Sequence, residues 1–498
     1  MVSLSASVAW WARTEPERTA LVYEAQRVSF GDLQRRVEAT AGLLAVQGVQ
    51  HGDVVALLMK NSAAFIELAL AISHVGAVLL PINYRLGADE VAYILDHAGA
   101  VLLFCDEELE ASAGMARRIV VSSEAQADSS VLAKGCTPSS QPHACQPDDL
   151  YRLMYTSGTT DRPKGVMHTY SNVAWKCFDH IATLCLKKED RLLIVGPMYH
   201  VGAFDLPGLA VMAQGGMLAV LRDFEPEATL SMIQRERITG GWMAPVMLNR
   251  LLVVPQRDRF DLSSFQWLIG GGEKTPEERI RDFGSLFQQA RYIDAYGLTE
   301  TCSGDTMMEA GREIEKIGST GRALAHVQIA VMDDLGQPLP AGAQGEVCLR
   351  GPKVTRGYWK DMKRTTASFF GDWFRTGDIG LLDEEGFLYL TDRKKDMIIS
   401  GGENIASSEV ERVLYQLPQV AEVAVIGLPD ERWGERVAAV VVLRPGSSLT
   451  YEEVRAHCDG KLGGFKTPKE LIVVDALPRN PSGKVLKRVL RHDLTLPT

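Results

Sequence analysis

A short loop that combines hydroxyl side chains, glycine and one lysine is the stretch of this sequence best suited to chemistry. It runs from Tyr155 to Val166 and reads Tyr-Thr-Ser-Gly-Thr-Thr-Asp-Arg-Pro-Lys-Gly-Val. Because glycine lets backbone N–H groups approach an anion, hydroxyls add hydrogen bonds and lysine adds positive charge, the loop predicts a grip on a polyphosphate. Its spacing does not fit the G-x-x-x-x-G-K-[ST] P-loop. The residues that we expect to contact phosphate are Thr156, Ser157, Gly158, Thr159, Thr160 and Lys164.

A second stretch, Asp294-Ala-Tyr-Gly-Leu-Thr-Glu300, joins an aromatic ring to oxygen ligands. Tyr296 offers a flat face to adenine, and Thr299 can hydrogen-bond an α-phosphate. Glu300 supplies the hard oxygen that Mg²⁺ prefers when it is shared with phosphates. The expected nucleotide contacts here are Asp294, Ala295, Tyr296 and Gly297.

Three later stretches add a carboxylate, a hinge pattern and a lysine on a turn. In Trp373-Phe-Arg-Thr-Gly-Asp378, the aspartate has two acceptor oxygens for a pair of ribose hydroxyls. Asp392-Arg-Lys-Lys-Asp-Met-Ile-Ile-Ser-Gly-Gly-Glu-Asn404 passes from charged residues into an apolar strand and a glycine pair, which favours a hinge between domains. In Leu477-Pro-Arg-Asn-Pro-Ser-Gly-Lys484, a tight turn presents the lysine.

Three apolar, glycine-containing stretches lie outside these five. They are Pro197-Met-Tyr-His-Val-Gly202, Gly240-Gly-Trp-Met-Ala-Pro245 and Leu268-Ile-Gly-Gly-Gly-Glu-Lys274. Adjacent glycines after a strand leave the backbone open to a flat ligand, although a plain strand-to-helix turn is the alternative. The family resemblance described next implies that these stretches and Cys302 contribute to a substrate pocket, which would be lined by Tyr199, His200, Val201, Gly202, Met243, Gly270, Gly271 and Cys302.

Taken in order, these stretches resemble the signature motifs of the adenylate-forming superfamily, which comprises acyl-CoA synthetases, luciferases and peptide-synthetase adenylation domains. The resemblance extends over the last two-thirds of the chain. It implies that Lys484 is catalytic, that Thr156 joins Glu300 at Mg²⁺ and that Arg393 contacts ribose or phosphate. The resemblance also implies further ligand contacts at Gly271 and Gly272, a hinge at Lys395, and CoA contacts at Gly401 and Gly402.

The resemblance implies a two-step reaction that uses ATP, Mg²⁺ and coenzyme A. A carboxylate resists attack by a thiol, and adenylation gives it a good leaving group. Because that first step brings two anions together, it needs positioned positive charge. The implied catalytic residues are Lys484, Thr299, Glu300 and His200, the last of which positions and gates the acyl group rather than acting as a base. The C-terminal domain would then rotate for the thioester step.

Two positions depart from the family pattern. Gly271-Gly-Glu-Lys274 replaces the usual Gly-Gly-Ala-Pro, and Asp161 stands where the family often has glycine. The pocket stretches are mostly apolar and hold no arginine to pair with a second carboxylate. We therefore expect a monoacid with an apolar body, either a medium- or long-chain fatty acid or an aryl acid. Asp305 could read a substrate hydroxyl or lie in solvent.

Other functions stay open on the sequence. A peptide-synthetase-type adenylation enzyme usually holds an aspartate after an aromatic residue to pair with the substrate's amino group, whereas His200 stands here and Asp205 lies five residues late. A freestanding acyl–carrier-protein ligase is a second alternative. A non-catalytic nucleotide-binding protein is a third, but the combination of Glu300, Asp378 and Lys484 argues against it.

Composition narrows the class of protein further. The 498 residues carry a formal net charge of -10, which argues against a nucleic-acid partner. The eight cysteines are scattered without a C-x-x-C pair, so we expect reduced thiols in a cytoplasmic protein and no cysteine metal site. No signal peptide or transmembrane segment is expected. The expected partners are a small carboxylic acid, ATP and CoA, and we allow for a homodimer.

Alternating short apolar runs and amphipathic runs predict an α/β fold. We expect an N-terminal domain over residues 1–394, with layered α/β sheets and a small distorted β-barrel, and a mobile α+β domain over residues 395–498. Predicted helices include 30–46, 63–74, 88–97, 407–415 and 450–460, and predicted strands include 20–23, 54–58, 78–80, 100–104, 420–426, 437–443 and 470–474. The polar stretch 122–149 is expected to be a surface connection.

Overall fold

The computed structural model describes residues 4–114, 116–156, 162–271, 277–394, 396–400, 403–479 and 485–495. It divides into two compact units. Unit 1 comprises Met1–Ile329, Leu349–Phe374 and Gly386–Leu388, and unit 2 comprises Ala330–Cys348, Arg375–Glu385 and Tyr389–Thr498. No helix within the described ranges is long and apolar enough to cross a membrane.

The α-helices are distributed along the whole chain. They are α1 (Leu4–Thr14), α2 (Phe30–Val46), α3 (Ala63–His74), α4 (Ala88–Ala98), α5 (Ser123–Ala127), α6 (Tyr170–Leu184), α7 (Ala210–Ala213), α8 (Pro226–Glu236), α9 (Pro245–Leu252), α10 (Glu277–Leu286), α11 (Met362–Ala367), α12 (Ser407–Leu414), α13 (Tyr451–Cys458) and α14 (Lys487–Thr495).

The strands alternate with these helices. The first fifteen are β1 (Thr19–Tyr23), β2 (Gln26–Ser29), β3 (Val54–Leu58), β4 (Val78–Pro81), β5 (Ala100–Asp106), β6 (Arg118–Val121), β7 (Leu150–Thr156), β8 (Lys164–Thr169), β9 (Arg191–Ile194), β10 (Met217–Val220), β11 (Gly240–Met243), β12 (Trp267–Gly271), β13 (Arg291–Tyr296), β14 (Thr306–Met307) and β15 (Arg322–Ala323). The remaining ten are β16 (Gln328–Met332), β17 (Gly345–Arg350), β18 (Phe369–Phe370), β19 (Trp373–Leu382), β20 (Leu388–Arg393), β21 (Ile398–Ser400), β22 (Glu403–Ile405), β23 (Val420–Asp430), β24 (Gly434–Leu443) and β25 (Glu470–Val473).

Two large sheets organise unit 1. One has nine strands in the order β15-β14-β13-β12-β11-β9-β10-β1-β2, and the other has six in the order β6-β5-β3-β4-β7-β8. Neighbours at the centre of each sheet run parallel, as in β11–β12–β13 and β4–β3–β5. Strands of a parallel sheet covered on both faces are apolar throughout, and all five residues of β3 are buried.

The ends of the helices beside these sheets follow local sequence rules. Ser29 caps α2 by accepting a hydrogen bond from the backbone of Asp32, whose carboxylate returns a bond to the Ser29 backbone. Thr169 and Asn172 form the same reciprocal pair at the start of α6. These caps satisfy backbone N–H groups that have no partner within the helix.

Unit 2 contains a five-stranded sheet with its own apolar core. The order is β22-β21-β24-β23, and β25 pairs with β24. Val410, Val425 and Val441 belong to the buried cluster between this sheet and its helices. The last helix, α14, buries Leu490 against the other face of the sheet. The strands β16 to β20 form a further sheet in the order β16-β17-β19-β18, with β20 paired to β19.

The predicted mixed α/β class is confirmed, and α2 and α3 have the predicted bounds. The expectation of a surface connection over 122–149 is wrong in part, because this segment contains α5 and buries Ser129, whose backbone donates to the buried Glu67 at 2.7 Å. The helix α14 had no counterpart in the sequence prediction. The boundary at residues 394 and 395 stays a prediction, because Lys395 lies outside the described residues.

Candidate active site

A lysine, a glutamate and a tyrosine from three distant parts of unit 1 form one polar cluster. Lys164 Nζ lies 2.8 Å from Glu300 Oε1 and 2.8 Å from the Tyr358 hydroxyl. The Tyr358 hydroxyl donates to Glu300 Oε1 at 2.9 Å. Each group therefore bonds to the other two. Glu300 is almost fully buried, whereas the Lys164 side chain is partly exposed.

Strand pairing brings Lys164 and Tyr358 together, and the Thr355 N–H, near Tyr358, donates to the Glu300 carbonyl at 2.7 Å. Thr156 at the end of β7 is opposite Lys164 at the start of β8. The segment that carries Tyr358 runs along β8, with a bridge between Val166 and Tyr358 and a bond of 2.8 Å from the Trp359 N–H to the Gly165 carbonyl. The cluster therefore lies beside the end of β7 and the start of β8, the two strands that the predicted phosphate loop connects.

The protonation state of Tyr358 follows from its surroundings. Burial, and then the Glu300 carboxylate, raise the pKa of the phenol above its ordinary value. A phenol that keeps its proton can donate to Glu300 while its oxygen accepts from Lys164. Tyr358 was not predicted as a site residue from the sequence. The pattern that could have pointed to it is the Gly-Tyr-Trp triplet in a β-rich region.

The two residues expected at magnesium fit a hard cation by their chemistry. Thr156 Oγ1 is buried and has no hydrogen-bond partner among the residues that the structure describes. Lys164, which is opposite Thr156 in the strand pair, forms the ion pair with the Glu300 carboxylate. Hydroxyl and carboxylate oxygens are ligands that Mg²⁺ accepts. Five residues of the loop itself lie outside the described ranges: Ser157, Gly158, Thr159, Thr160 and Asp161.

A buried chain of polar contacts holds the backbone of Thr299. Arg152 Nε donates to His168 Nδ1 at 2.8 Å, and His168 Nε2 lies 2.6 Å from the Thr299 carbonyl oxygen. Since arginine can only donate, Nε2 carries the imidazole proton and donates to Thr299. Burial, followed by the charge of Arg152, lowers the pKa of His168 well below its ordinary value, so the ring stays neutral.

The same arginine connects this chain to the predicted acyl side. Arg152 pairs with the buried carboxylate of Asp205, and Lys176 Nζ donates to the Asp205 carbonyl at 2.5 Å. Asp205 lies in the irregular helical segment Val201–Leu209, which follows His200. Arg152, His168 and Lys176 were not predicted as site residues from the sequence, because each is an isolated polar residue within a largely apolar run.

Three of the predicted pocket residues, His200, Gly202 and Gly271, lie around one indole ring. The rings of His200 and Trp242 stack with their centroids 6.2 Å apart. A side chain on Gly202 would meet the indole at 2.5 Å, and one on Gly271 would lie 3.7 Å from its Nε1. Trp242 lay within the predicted stretch 240–245, but the residue singled out there was its buried neighbour Met243.

The protonation of His200 suits a positioning role. Its Nδ1 accepts from the Gly202 N–H at 3.0 Å, which leaves the proton of the neutral ring on Nε2. Burial lowers the pKa of His200 below its ordinary value. The neighbouring ring of Tyr199 packs edge-on against Tyr84, with centroids 5.3 Å apart. The buried Tyr199 hydroxyl has no hydrogen-bond partner within the described part of the chain.

Asn61 fixes the segment that carries these rings. Its amide nitrogen donates to the Gly196 carbonyl at 2.8 Å, and its oxygen accepts from the Met198 N–H at 2.9 Å. Asn61 is buried and lies shortly after β3, and 137 positions separate it from Met198 in sequence. This residue was also missed by the sequence analysis, since a single asparagine after a strand usually indicates a turn.

The expectation for Asp305 is wrong. It is neither in solvent nor free to read a hydroxyl, because it is fully buried and forms an ion pair of 3.0 Å with the buried Lys353. Thr301 also donates to it. Cys302 is fully buried near the same polar groups, and burial raises the pKa of its thiol to about 12. These contacts support the turn that carries Thr299 and Glu300.

The predicted adenine segment borders the glycine edge of β12. In the parallel pairing of β12 with β13, Gly270 is opposite Asp294 and Gly271 is opposite Ala295. Tyr296 is buried, and Gly297 approaches the backbone of Ser303 and Gly304 so closely that a side chain would collide with it. Gly272 lies outside the described residues.

Unit 2 contains the predicted ribose carboxylate. Asp378 is buried, and its Oδ1 lies 2.7 Å from Arg393 Nε. Gly377 adopts the left-handed φ of +71°, and its carbonyl accepts from the Lys394 N–H at 2.9 Å. The two predicted ribose contacts are therefore neighbours. Of the other residues predicted for the C-terminal region, four lie outside the described ranges: Lys395, Gly401, Gly402 and Lys484.

Comparison with known proteins gives one consistent result. The model of the AMP-binding enzyme family matches residues 8–359, and that of the AMP-binding enzyme C-terminal domain matches residues 409–484. A feruloyl-CoA synthase of Amycolatopsis sp is 36% identical over 483 residues, which are 97% of each chain. A long-chain-fatty-acid–CoA ligase of Mycobacterium tuberculosis is 36% identical over 475 residues, which are 94% of this chain and 93% of the other.

A solved structure agrees with these relatives. The o-succinylbenzoate CoA synthetase of Bacillus subtilis, in complex with its acyl-adenylate intermediate, has a TM-score of 0.89 and 32% identity, and the match covers 99% of this chain and 98% of the other. The same enzyme is also known in complex with ATP and a magnesium ion, at a TM-score of 0.86, 31% identity and coverage of 97% and 98%.

The chain therefore belongs to the AMP-binding enzyme family, which is the adenylate-forming superfamily that its motifs resemble. Within that superfamily it is an acyl-CoA synthetase, an enzyme that ligates a carboxylic acid to CoA through an acyl-adenylate.

Proposed function

We propose that this enzyme activates a monocarboxylic acid with an aromatic or long apolar body, and that the Lys164–Glu300–Tyr358 cluster anchors the pyrophosphate-releasing step. In that step a carboxylate oxygen attacks the α-phosphorus of ATP, and pyrophosphate leaves. The CoA sulfur then attacks the acyl carbon, and AMP leaves with the electron pair of the broken bond. The main support for this proposal is the cluster itself, because it places a cation and a carboxylate beside the strands that flank the phosphate loop.

Lys164 and Thr156 would meet the β- and γ-phosphates, and Thr156 and Glu300 would hold Mg²⁺. Bound there, Mg²⁺ would neutralise charge on the departing pyrophosphate. The unpartnered hydroxyl of Thr156 supports this assignment. Tyr358 holds the side chains of Glu300 and Lys164 in place before the ligands bind. Because these charged groups are already positioned, they need little reorganisation during the reaction.

The surroundings of Trp242 support the choice of acid. Small residues face the indole from two sides, and the His200 ring stacks on it. Tyr199, the neighbour of His200 in sequence, packs its ring against that of Tyr84. Flat, apolar walls favour an aryl or alkyl body over a second carboxylate. The unpartnered Tyr199 hydroxyl favours an aryl acid with a hydroxyl or ether substituent over a plain alkyl chain.

Asp205 argues against an amino-acid substrate. In a peptide-synthetase-type enzyme an aspartate pairs with the substrate's amino group. Here the Asp205 carboxylate is buried and already paired with Arg152. If Asp205 paired with a substrate instead of Arg152, the buried guanidinium would be left unpaired, at a cost of roughly 3–5 kcal/mol.

An acid panel tests this function. Pyrophosphate release would be measured with hydroxycinnamic, benzoic, arylacetic, C8 to C18 alkanoic and dicarboxylic acids, first with CoA and then with a pantetheinylated carrier protein. We expect the highest kcat/KM for an aryl monoacid with CoA as acceptor. Turnover with dicarboxylic acids alone would contradict the proposed pocket, and turnover only with carrier protein would contradict the acceptor.

Lys484 gives a separate test of the two half-reactions. The Lys484→Ala variant should lose adenylate formation by a factor of roughly a hundred or more, because one cation between two anions is removed. It should retain thioester formation from acyl-AMP that is added directly. Each half-reaction would be followed by rapid quench and chromatography, and equal loss of both would exclude the proposed role.

A further inference from the structure

Two histidines and an aspartate that belong to none of the motifs described above converge on the surface of unit 1. The side chains are those of His51, His143 and Asp149, and one potential ligand atom of each lies within 4.8 Å of the other two. The imidazole rings of His51 and His143 have centroids 4.3 Å apart. His51 Nε2 lies 3.4 Å from Asp149 Oδ2.

Each of these residues is fixed by its backbone. His51 lies in the turn between α2 and β3, where the Gly52 N–H donates to the Gly76 carbonyl at 3.0 Å. The His143 N–H donates at 2.7 Å to the carbonyl of His74, the last residue of α3. Asp149 precedes β7, and its carbonyl accepts from the Tyr170 N–H at 3.1 Å. Three elements of the same unit therefore hold the cluster.

Gly76 brings the His143 ring against the main chain. It has a left-handed φ of +73°, and a side chain on it would lie only 2.7 Å from the imidazole carbon atoms. The ring of His143 is thereby held beside a backbone turn, although it is exposed to solvent. The Asp149 carboxylate is oriented as well, since its Oδ2 accepts from the Gln146 N–H at 2.8 Å.

The distances suit a shared cation better than direct hydrogen bonds. A separation of 3.4 Å between His51 Nε2 and Asp149 Oδ2 is long for a hydrogen bond between nitrogen and oxygen. Two ligands that are each about 2.1 Å from a tetrahedral metal stand about 3.4 Å apart. Small rotations of the exposed His51 and His143 rings would complete a set of two imidazoles and one carboxylate.

We propose that His51, His143 and Asp149 bind one divalent transition-metal ion of the Zn²⁺ class, with water completing the coordination. Imidazole ligands select Zn²⁺, Ni²⁺ or Cu²⁺ over Mg²⁺, so this site is chemically different from the magnesium site of the reaction. The ion would clip the segment before β7, which leads into the phosphate loop, to the turn after α2. The proposal does not depend on which acid the enzyme activates.

A metal titration of the full-length chain tests the site. Zn²⁺ would be titrated against a chromogenic chelator in the presence of millimolar Mg²⁺, which occupies hard-oxygen sites, and Co²⁺ absorption would report the geometry. The variants are His51→Ala and Asp149→Asn, the second of which keeps an oxygen for the Gln146 N–H. His492→Ala is the matched control, because His492 is an exposed histidine of α14 in unit 2.

We expect one equivalent of Zn²⁺ to bind the wild type and the control, and both cluster variants to bind at least about tenfold more weakly. Zinc should also raise the melting temperature of the wild type and the control more than that of the variants. Circular dichroism without metal would check that each variant is folded. The proposal is overturned if the wild type binds no equivalent, or if either cluster variant binds as tightly as the control.

Discussion

Lys164 and Glu300 form a half-buried ion pair, and Tyr358 determines its geometry. The phenol oxygen is within 2.8–2.9 Å of both partners, and the Lys164 ammonium also lies 4.2 Å from the centroid of the phenol ring. A lysine side chain is flexible, so a fixed neighbour restricts where its charge can go. The pair is therefore positioned by a residue that belongs to none of the five motifs.

Tyr358→Phe should weaken adenylate formation. The substitution keeps the ring but removes a hydrogen bond between a neutral hydroxyl and charged partners, which is worth about 1.5–3 kcal/mol. We expect kcat/KM for ATP in pyrophosphate exchange to fall by roughly 10- to 100-fold, and thioester formation from acyl-AMP to change little.

Tyr451→Phe is the control for this substitution, because its hydroxyl donates to the Pro468 carbonyl within unit 2 and meets no predicted ligand. It should leave both half-reactions unchanged. An ATP profile of Tyr358→Phe equal to that of this control would rule out the positioning role.

At the scale of elements, the end of β12 shows how tightly the glycines are packed. A side chain on Gly270 would collide with the hydroxyl of Tyr292 in β13, whereas one on Gly271 would come no closer than 3.2 Å to the Ala295 carbonyl. Glycine is therefore required at these two adjacent positions for different reasons. Gly270 permits the packing of neighbouring strands, and Gly271 leaves room beside Trp242.

Gly270→Ala should lower the stability of unit 1, because Tyr292 is buried and can move only by distorting the sheet. Overpacking of this kind costs about 1–3 kcal/mol. The reference is Gly284→Ala in α10, where a side chain would meet no atom of the described residues within 4 Å, and alanine should stabilise the helix by about 0.5–1 kcal/mol. Urea midpoints from tryptophan fluorescence should therefore move in opposite directions, and a shift of both in the same direction would refute the argument.

At the scale of the whole molecule, several histidines are held neutral by burial. Burial lowers the pKa values of His168 and His180 well below their ordinary range, and nearby cations act in the same direction. The cations are Arg152 and Lys176 for His168, and Lys176 and Lys353 for His180. Both rings therefore gain a proton on unfolding when the pH lies between their folded and unfolded pKa values.

Acid should reduce the free energy of unfolding through these rings. For a histidine whose pKa is lowered by folding, the contribution is complete above the unfolded value of about 6.5 and is lost as the pH falls below it. Each ring contributes a slope of up to about 1.4 kcal/mol per pH unit. Urea unfolding of the wild type and of His168→Gln between pH 7.5 and 5 would measure it. We expect a flatter pH dependence for the variant, and identical slopes would contradict the expectation.

Much of the secondary structure could be predicted because its causes are local. The amphipathic period of Phe30–Val46, with Ser29 and Asp32 at its start, sufficed to give α2. The apolar run of Val54–Leu58 gave β3 in the same way. The buried parts of 122–149 were not foreseen, because Ser129 is held by Glu67, which lies 62 residues earlier. Helix α14 was not predicted, because polar and charged residues outnumber the three apolar ones in Lys487–Thr495.

The sequence by itself determined the family, the order of the motifs and the chemistry of the phosphate loop, because those depend on residue types at short spacing. The tertiary structure decided which residues surround the motifs. Tyr358 reaches Lys164 across 194 positions, and His168 reaches Thr299 across 131. Contacts between residues so far apart in sequence form only when the sheets and loops pack around a core, so no local sequence pattern predicts them. The same reason explains Asp305, whose type suggested solvent but whose position beside Lys353 is fully buried.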